Sequence, residues 1–519
     1  MISKIFDKTF HIVFFILFAF VTLVATYSIC IQTFFGVVLA AVFLVISIAI
    51  FPKLQEKFSD IDNKRLNKAF LVMLFGMLII QLVIALNMLS VPVTDWNVIN
   101  EVSKSYAVNG NMEHIYDNLP YNIDYLARYT NNNGITVLFS FYYRIIYLIF
   151  GTIPIEAPVI LNTLFISASV VFCYLIAKKA FGNFHALITM ILCVLFLPYY
   201  TYCTYFYTDS VSMPFAILSV YLFICGYDSQ KLFNKIVLFF FSGVACAVGF
   251  ALKGSVIIVL VAAVIYMIYK GGIKKILLGS SSIVAGFLIL TIAFNGLVSS
   301  LNITTDEILE KEKYPLTHWV MMGLKGKGGF DPDDSKFTRK AGNYEEKKAA
   351  NIQEIKNRLS EYGLVGLAKH LIIKANFTWS DGTYWISHHI YEPYNGYNFL
   401  HSFFLMDGSC YPIFSSVSAA MQILMLAMIC VSLFSCIKKP KFDYITLLHI
   451  IIFGVYLFFL IWETRSRYIF NFTPIFIIVW ANGIIIMLNK IKKPLTLKDK
   501  LKRNFASDAD DISHTEKEA

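Results

Sequence analysis

The chain has 519 residues, 57% of them hydrophobic and 15% charged, with a mean hydropathy of +0.64 and a formal net charge of +10. Apolar runs of about 20 residues recur along it, enough to cross roughly 30 Å of hydrocarbon, which excludes a soluble globular protein and implies an all-α polytopic membrane protein. The basic excess lies in short loops and the tail, with no single basic face interleaved with aromatics, and argues against a nucleic-acid partner.

Twelve spans are predicted in chain order, at approximately 10–28, 32–51, 69–89, 157–177, 184–203, 210–226, 236–252, 255–270, 276–298, 413–436, 444–461 and 468–488. The first is too long and lacks the small-residue cleavage site of a removable signal peptide. Residues 134–150 are apolar enough to be mistaken for a thirteenth. However, Thr136, Ser140, Tyr143, Arg144 and Tyr147 recur at spacings of three and four, a polar stripe expected of a helix in the interface plane. Charge supports that choice. With 134–150 interfacial and the N-terminus (Lys4, Lys8) inside, the clusters Lys178-Lys179, Lys274-Lys275, Lys438-Lys439-Lys441 and the tail from Lys490 all fall inside. Both termini are therefore expected in the cytoplasm of a multi-pass cell-membrane protein.

The expected organisation is a transmembrane bundle over 1–298 that includes a first outer loop at 90–156. An extracytoplasmic loop region over 299–412 follows, then C-terminal spans over 413–490 and a cytoplasmic tail over 491–519. Loop 299–412 is too long for a simple connector, and short helices lying over the bundle are expected there. The tail from about Lys498 has no apolar periodicity and reads as disordered. The nine cysteines are scattered, mostly in apolar spans (Cys173, Cys193, Cys246, Cys430), without paired or metal-ligand spacing, and read as packing residues.

Polar residues at the outer ends of the spans carry whatever chemistry there is. Asp95 follows the third span and opens the first long polar segment; a carboxylate so near hydrocarbon is costly unless it has a partner or a task. An amphipathic stretch then runs to Asn109-Gly110. Tyr129-Thr130-Asn131-Asn132-Asn133-Gly134, Tyr207-Thr208-Asp209, Ala251-Leu252-Lys253-Gly254 and Glu463-Thr464-Arg465-Ser466-Arg467-Tyr468 follow in order, all on the same predicted side. In that order and placement the chain resembles the GT-C integral-membrane glycosyltransferases over about residues 69–490. The branch it is most similar to contains the protein O-mannosyltransferases and the bacterial aminoarabinose transferases (family 39-like). It departs at Asp95-Trp96, where many relatives carry two acids, and in His318-Trp319-Val320-Met321-Met322-Gly323-Leu324, which has no counterpart there.

The resemblance implies transfer of a hexose or pentose from a polyprenyl-phosphate donor to a glycan, glycolipid or protein acceptor at the outer membrane face. Such a reaction needs a base for the acceptor hydroxyl and cations for the departing phosphate. Asp95 and Asp209 are the expected catalytic acids, each with a helix N-cap as the alternative. Arg465, Arg467 and Lys253 are the expected donor-phosphate ligands. For the arginines the alternatives are an ion pair with Glu463 or a membrane anchor; for Lys253 they are an ion pair with Asp95 or Asp209, or snorkelling. Trp96, Tyr129, Asn131, Asn132, His318, Trp319, Trp379 and Asp381 are candidates to line the substrate, with interfacial anchoring the competing reading for the tryptophans. His318, His388 and His389 read as structural, and a divalent metal is left open. Gly326, Gly328 and Gly329 read as a flexible turn, and Asn302 and Asn376 lie in glycosylation sequons. Two other functions fit the composition: a lipid-linked polysaccharide polymerase or ligase, and a membrane transporter or flippase.

Overall fold

The computed structural model describes residues 2–270, 272–440 and 443–490; the expected tail at 491–519 and Lys441 lie outside the described residues. Apolar composition makes helices here because the bilayer leaves the backbone no other partner. In chain order they are α1 (Ile2–Gln32), α2 (Phe34–Phe58), α3 (Asn63–Asn87), α4 (Thr94–Asn109), α5 (Glu113–Asn118), α6 (Pro120–Arg128), α7 (Asn133–Phe150) and α8 (Glu156–Phe181). The middle of the chain holds α9 (Asn183–Leu195), α10 (Pro198–Thr201), α11 (Thr208–Val211), α12 (Met213–Asp228), α13 (Leu232–Leu252), α14 (Ile257–Lys270) and α15 (Ile273–Ser300). Then come α16 (Asp306–Glu312), α17 (Leu316–Gly323), α18 (Pro332–Lys340), α19 (Tyr344–Trp379), α20 (Phe399–Phe404), α21 (Tyr411–Lys438), α22 (Tyr444–Ile461) and the last span α23 (Ser466–Lys490). The protein is all-α: among the described residues there is no named strand, only an isolated bridge between Ser90 and Pro393.

Among the described residues, eleven helices are long and apolar enough to cross a membrane, or twelve if the bent pair Asn183–Leu195 and Pro198–Thr204 is one span. The 61° bend falls where Pro198 removes a backbone donor. The eleven include Thr130–Phe150, the weakest of them in hydropathy. Its neighbours keep it from crossing. The α7 N-terminus lies at the end of α13, where a Cβ on Gly134 would stand 1.8 Å from the Ala251 carbonyl oxygen. Farther along α7, Tyr142 donates to the Ala157 carbonyl (2.9 Å) at the start of α8, whose Asn162 donates to the Tyr202 and Cys203 carbonyls (2.7 and 3.0 Å). Helix α7 thus starts and finishes at the same end of the bundle, and the short link to α8 falls well short of a roughly 30 Å bilayer. With α7 set aside, the bent pair and the shorter apolar helix Gly254–Lys270 restore the twelve expected spans.

The polar stripe of α7 does not face the headgroups. Thr136, Ser140 and Tyr143 are buried, and Arg144 donates to the Ala107 carbonyl (2.7 Å), so the stripe is the surface that pairs with α4. Periodicity alone cannot distinguish water from a second polar helix face. A small apolar core of its own ties α4, α5 and α6 to the start of region 299–412 through Val102, Ile115, Leu126 and Ile303.

Region 299–412 lies over the bundle, as expected, but its main element is long. Helix α19 covers 36 residues and is broken at Gly363, whose φ is +54°. Trp379, at its end, packs edge-on against Phe18 of α1. Helix α18 is locked to α19 by a two-pronged Arg358–Asp334 pair (2.7 and 2.8 Å). Arg128 and Glu312 (3.1 Å, both buried) join the region to the first loop. Asn376 bonds Ser28 and buries its Oδ1, so this sequon is folded into the bundle wall, while Asn302 stays exposed.

Candidate active site

Four chain segments distant in sequence meet at one end of the bundle. The first is the turn into α4. Its N-cap is Val93 and makes no side-chain cap bond, so Asp95 is not the cap. Thr94 sits at φ +50°, a region β-branched residues rarely occupy, and this turn presents the half-buried Asp95 carboxylate inward. Tyr207 donates to Asp95 Oδ2 (3.4 Å) and lies 3.2 Å from Asn132 Oδ1, while Asn132 donates to the Tyr125 hydroxyl (2.8 Å). Burial, with Asp95 next in effect, pushes the Tyr125 and Tyr207 phenols well above their usual range and keeps both as hydrogen-bond donors.

The ring of Tyr207 meets Arg467, whose guanidinium carbon is 5.2 Å from the ring centroid. Arg467 also donates to the Tyr205 hydroxyl (2.7 Å) and lies 3.8 Å from Asp209. Asp209 is completely buried and ion-paired to Lys253, which projects from the break between α13 and α14. Burial lowers the Lys253 pKa, and Asp209 opposes that shift. The N-cap of α11 is Tyr207, so the cap alternative is not what the geometry shows for Asp209 either. Lys253 and Arg467 flank the Tyr468 ring at 4.9 and 5.1 Å, and Tyr468 donates to Glu463 (2.9 Å). Burial raises the Glu463 pKa against the pull of Arg467 and Arg465.

Arg465 stacks over Trp385 (5.2 Å), which itself stacks on His388 (3.6 Å). A cleft of about 430 Å³ lined by Ser387, His388, Tyr391, Met406 and Asp407 opens beside that stack. The Nε groups of Arg465 and Arg467 are buried donors without a hydrogen-bond partner among the described residues. Unpartnered buried guanidinium donors are costly, and an anion between them would remove that cost. His389 lies against Tyr205 and within 3.4 Å of Arg467; burial and the two arginines hold it far below the usual imidazole range.

Of the expected substrate-lining residues, Tyr129, Asn131 and Asn132 stand beside this cluster. Tyr129 packs on Tyr125 and Trp319 (4.8 and 5.8 Å), Asn131 is exposed, and Asn132 is spent positioning Tyr125 and Tyr207. Trp96 and Trp379 are each 1% exposed and offer a sugar no surface in this conformation: Trp96 lies edge-on to Tyr205 and Phe206, and Trp379 lies between Phe18 and Phe476. The Asp381 carboxylate is fully occupied by Thr383, the Trp385 backbone N–H and Ser466 (2.7–2.9 Å), holding the turn that presents Trp385. His318 is buried against Thr338 (2.7 Å), which brings its pKa down to about 4.

Helix α17 and the glycine turn after it dock on the arginine turn. Trp319 accepts from the Glu463 N–H (3.0 Å) and Gly328 from the Thr464 N–H (2.7 Å). Gly328 has φ +79°, and a Cβ there would strike the Lys374 side chain, so that position of the turn calls for glycine, whereas Gly326 faces open space. Lys374 is fully buried, with its ammonium on the Gly323 carbonyl (2.8 Å) and its pKa lowered to about 7 by burial. Sequence reasoning missed Tyr205 and Lys374, and it picked out Tyr207 and Tyr468 within their motifs without giving either a role. Only Lys374, a lone cation on an otherwise apolar stretch of α19, carries a local signal. Among the described residues, no three His, Cys, Asp or Glu side chains bring ligand atoms together at this site.

A family model described as "Conserved hypothetical integral membrane protein" matches residues 1–484. No curated protein matches the sequence. Among solved structures the chain is similar to ArnT from Cupriavidus metallidurans, in a crystal structure bound to undecaprenyl phosphate. The identity is 12%, over 80% of this chain and 77% of that one, with a TM-score of 0.34.

Proposed function

We propose a function from the premise that the chain belongs to the conserved hypothetical integral membrane protein family: it is a membrane glycosyltransferase that moves a sugar from a polyprenyl-phosphate donor to an acceptor at the extracytoplasmic face. The observation that carries this reading is the convergence of Asp95, on the hydroxyl, and Arg467, on the ring, at Tyr207, with Arg465 and Lys253 in the same cluster. A base and a group of cations bridged by one tyrosine, at the end of an apolar bundle, suit a reaction on the polar head of a lipid-borne substrate.

In the proposed step an acceptor hydroxyl attacks the anomeric carbon as the bond from that carbon to the phosphate oxygen breaks, in a single displacement that inverts the centre. Asp95 takes the hydroxyl proton. The negative charge that grows on the departing polyprenyl phosphate falls to the free Nε donors of Arg465 and Arg467, aided by Lys253. In this reading Asp209 fixes the two cations and does not move a proton itself. Trp319 supplies a half-exposed face for a sugar ring.

Incubation of the purified protein with a panel of polyprenyl-phosphate sugars and membrane acceptors tests the assignment. Free polyprenyl phosphate should accumulate with at least one donor, and more slowly in Arg467→Lys, since an ammonium does not replace the guanidinium fork. Release only from diphosphate-linked oligosaccharides would move the assignment to a polymerase or ligase. Lipid movement without bond cleavage would move it to a flippase.

A further inference from the structure

We infer that the bundle holds a second, separate site: a buried binding site for a thiophilic divalent metal ion such as Zn²⁺, formed by His11 of α1, Cys436 of α21 and His449 of α22. One ligand atom from each lies within 4.8 Å of the others, and His11 and His449 are completely buried. The site is far from the arginine turn. His449 precedes Glu463 by fourteen residues, about 20 Å along a helix axis.

The orientation of the two rings is the first argument. His11 Nε2 and His449 Nδ1 point at each other across 2.9 Å. The remaining nitrogen of each ring is held from behind. His11 Nδ1 contacts the Asp7 backbone carbonyl (2.7 Å) and the Asp7 carboxylate (3.2 Å). His449 Nε2 contacts Ser432 Oγ (3.0 Å), to which Asn482 donates (2.7 Å). Metal-binding histidines are fixed in this way, with the ring nitrogen away from the ion engaged by a carboxylate, a carbonyl or a hydroxyl. Zinc–nitrogen bonds of roughly 2.0–2.1 Å in a tetrahedral set need the two nitrogens about 3.3 Å apart. The rings therefore have to part by only a few tenths of an ångström.

The second argument is charge, and it comes from a different atom. Asp7 is completely buried; Thr446 donates to its Oδ1 (3.1 Å), but Oδ2 has no hydrogen-bond partner. Among the described residues its one ion-pair partner is His11 (3.2 Å), and no lysine or arginine pairs with it. A carboxylate buried in a membrane bundle needs a compensating cation. A divalent ion on the far side of His11, with a Cys436 thiolate as ligand, gives two negative and two positive charges and a neutral cluster. A monovalent cation would leave a net negative charge. Soft thiolate and imidazole donors select zinc over magnesium or calcium. Binding displaces the Cys436 thiol proton, which leaves to solvent, while the proton between the two imidazoles moves to His449 Nε2, which then donates to Ser432 Oγ, so both rings stay neutral.

The test is the metal content of the full-length protein, purified in detergent and dialysed against buffered Zn²⁺ and then against metal-free buffer. About one zinc per folded chain is expected. Replacement by Co²⁺ should give a near-ultraviolet thiolate-to-cobalt band that disappears in Cys436→Ser and persists in Cys430→Ser. A folded wild-type protein that retains no zinc, or a cobalt band that survives in Cys436→Ser, overturns the site. Because the wild-type chain answers the first question, a variant that fails to fold does not rescue the proposal.

Discussion

The Lys253–Asp209 pair is the most demanding test of how this end of the bundle is held together. Asp209 is 0% exposed and the Lys253 side chain 12% exposed, so removing either partner strands a buried charge. Breaking a buried pair typically costs about 3–5 kcal/mol. The two sides are not equivalent here. In Lys253→Met the stranded Asp209 keeps only Arg467, at 3.8 Å, and about 2–4 kcal/mol of destabilisation is expected. In Asp209→Asn the lysine can turn toward its exposed edge while keeping the Tyr468 ring 4.9 Å away, so the cost should be smaller, about 1–3 kcal/mol. The double variant should lose less than the sum of the two, by about 2 kcal/mol. Denaturant unfolding in mixed micelles, followed by tryptophan fluorescence, gives all four values. Additive losses, or a Lys253→Met protein as stable as the wild type, would mean that the pair does not hold Arg467 and that the architecture of the site is misread.

Three further outcomes follow from individual contacts. Tyr207→Phe keeps the ring under Arg467 but removes the hydroxyl shared by Asp95 and Asn132, so turnover should fall about tenfold with donor affinity little changed; an unchanged rate refutes the link. Gly134→Ala places a Cβ 1.8 Å from the Ala251 carbonyl and should cost more than about 3 kcal/mol, read as a lowered unfolding midpoint or lost expression, because backbone cannot give way as a side chain can. His318 is held near pKa 4 by burial against an unfolded value of 6.5. Its neutral form favours the fold, and stability is lost as pH falls through that window, by up to about 3 kcal/mol. His318→Gln should flatten this dependence in unfolding scans between pH 7 and about 4.5.

The transmembrane part of the fold was readable because hydrocarbon thickness sets helix length and basic residues mark one side, as α3, α8 and α21 illustrate. The bend at Pro198 was not anticipated, since 184–203 reads as one continuous apolar span. The polar stripe on α7 was visible, but its partner α4 was not, since periodicity reports a polar face and not what covers it. The length of α19 was hidden because Gly363 interrupts it and because its apolar side faces both α1 and α22.

For the candidate site, the segments carrying Asp95, Asp209, Lys253 and the arginines could be picked out as polar islands between spans. Their mutual distances could not, because nothing in the local sequence shows that Tyr207, Tyr205 and Tyr468 come to lie between the charges. Trp379 and Asp381 misled for a related reason. A Trp-Ser-Asp-Gly-Thr-Tyr-Trp run looks the same whether its side chains face a substrate or, as here, pack inward and tie a turn. The His11–Cys436–His449 cluster gave no signal, since its members are more than 400 residues apart along the chain except for Cys436 and His449.

The central claim is that Asp95 removes the acceptor proton beside a cation-held donor phosphate. Turnover by Asp95→Asn with a donor that the wild-type protein accepts tests it directly. The account predicts a loss of about 10²–10⁴-fold in kcat, with donor binding and unfolding midpoint unchanged. Wild-type turnover in that variant, in protein shown to be folded, would contradict it.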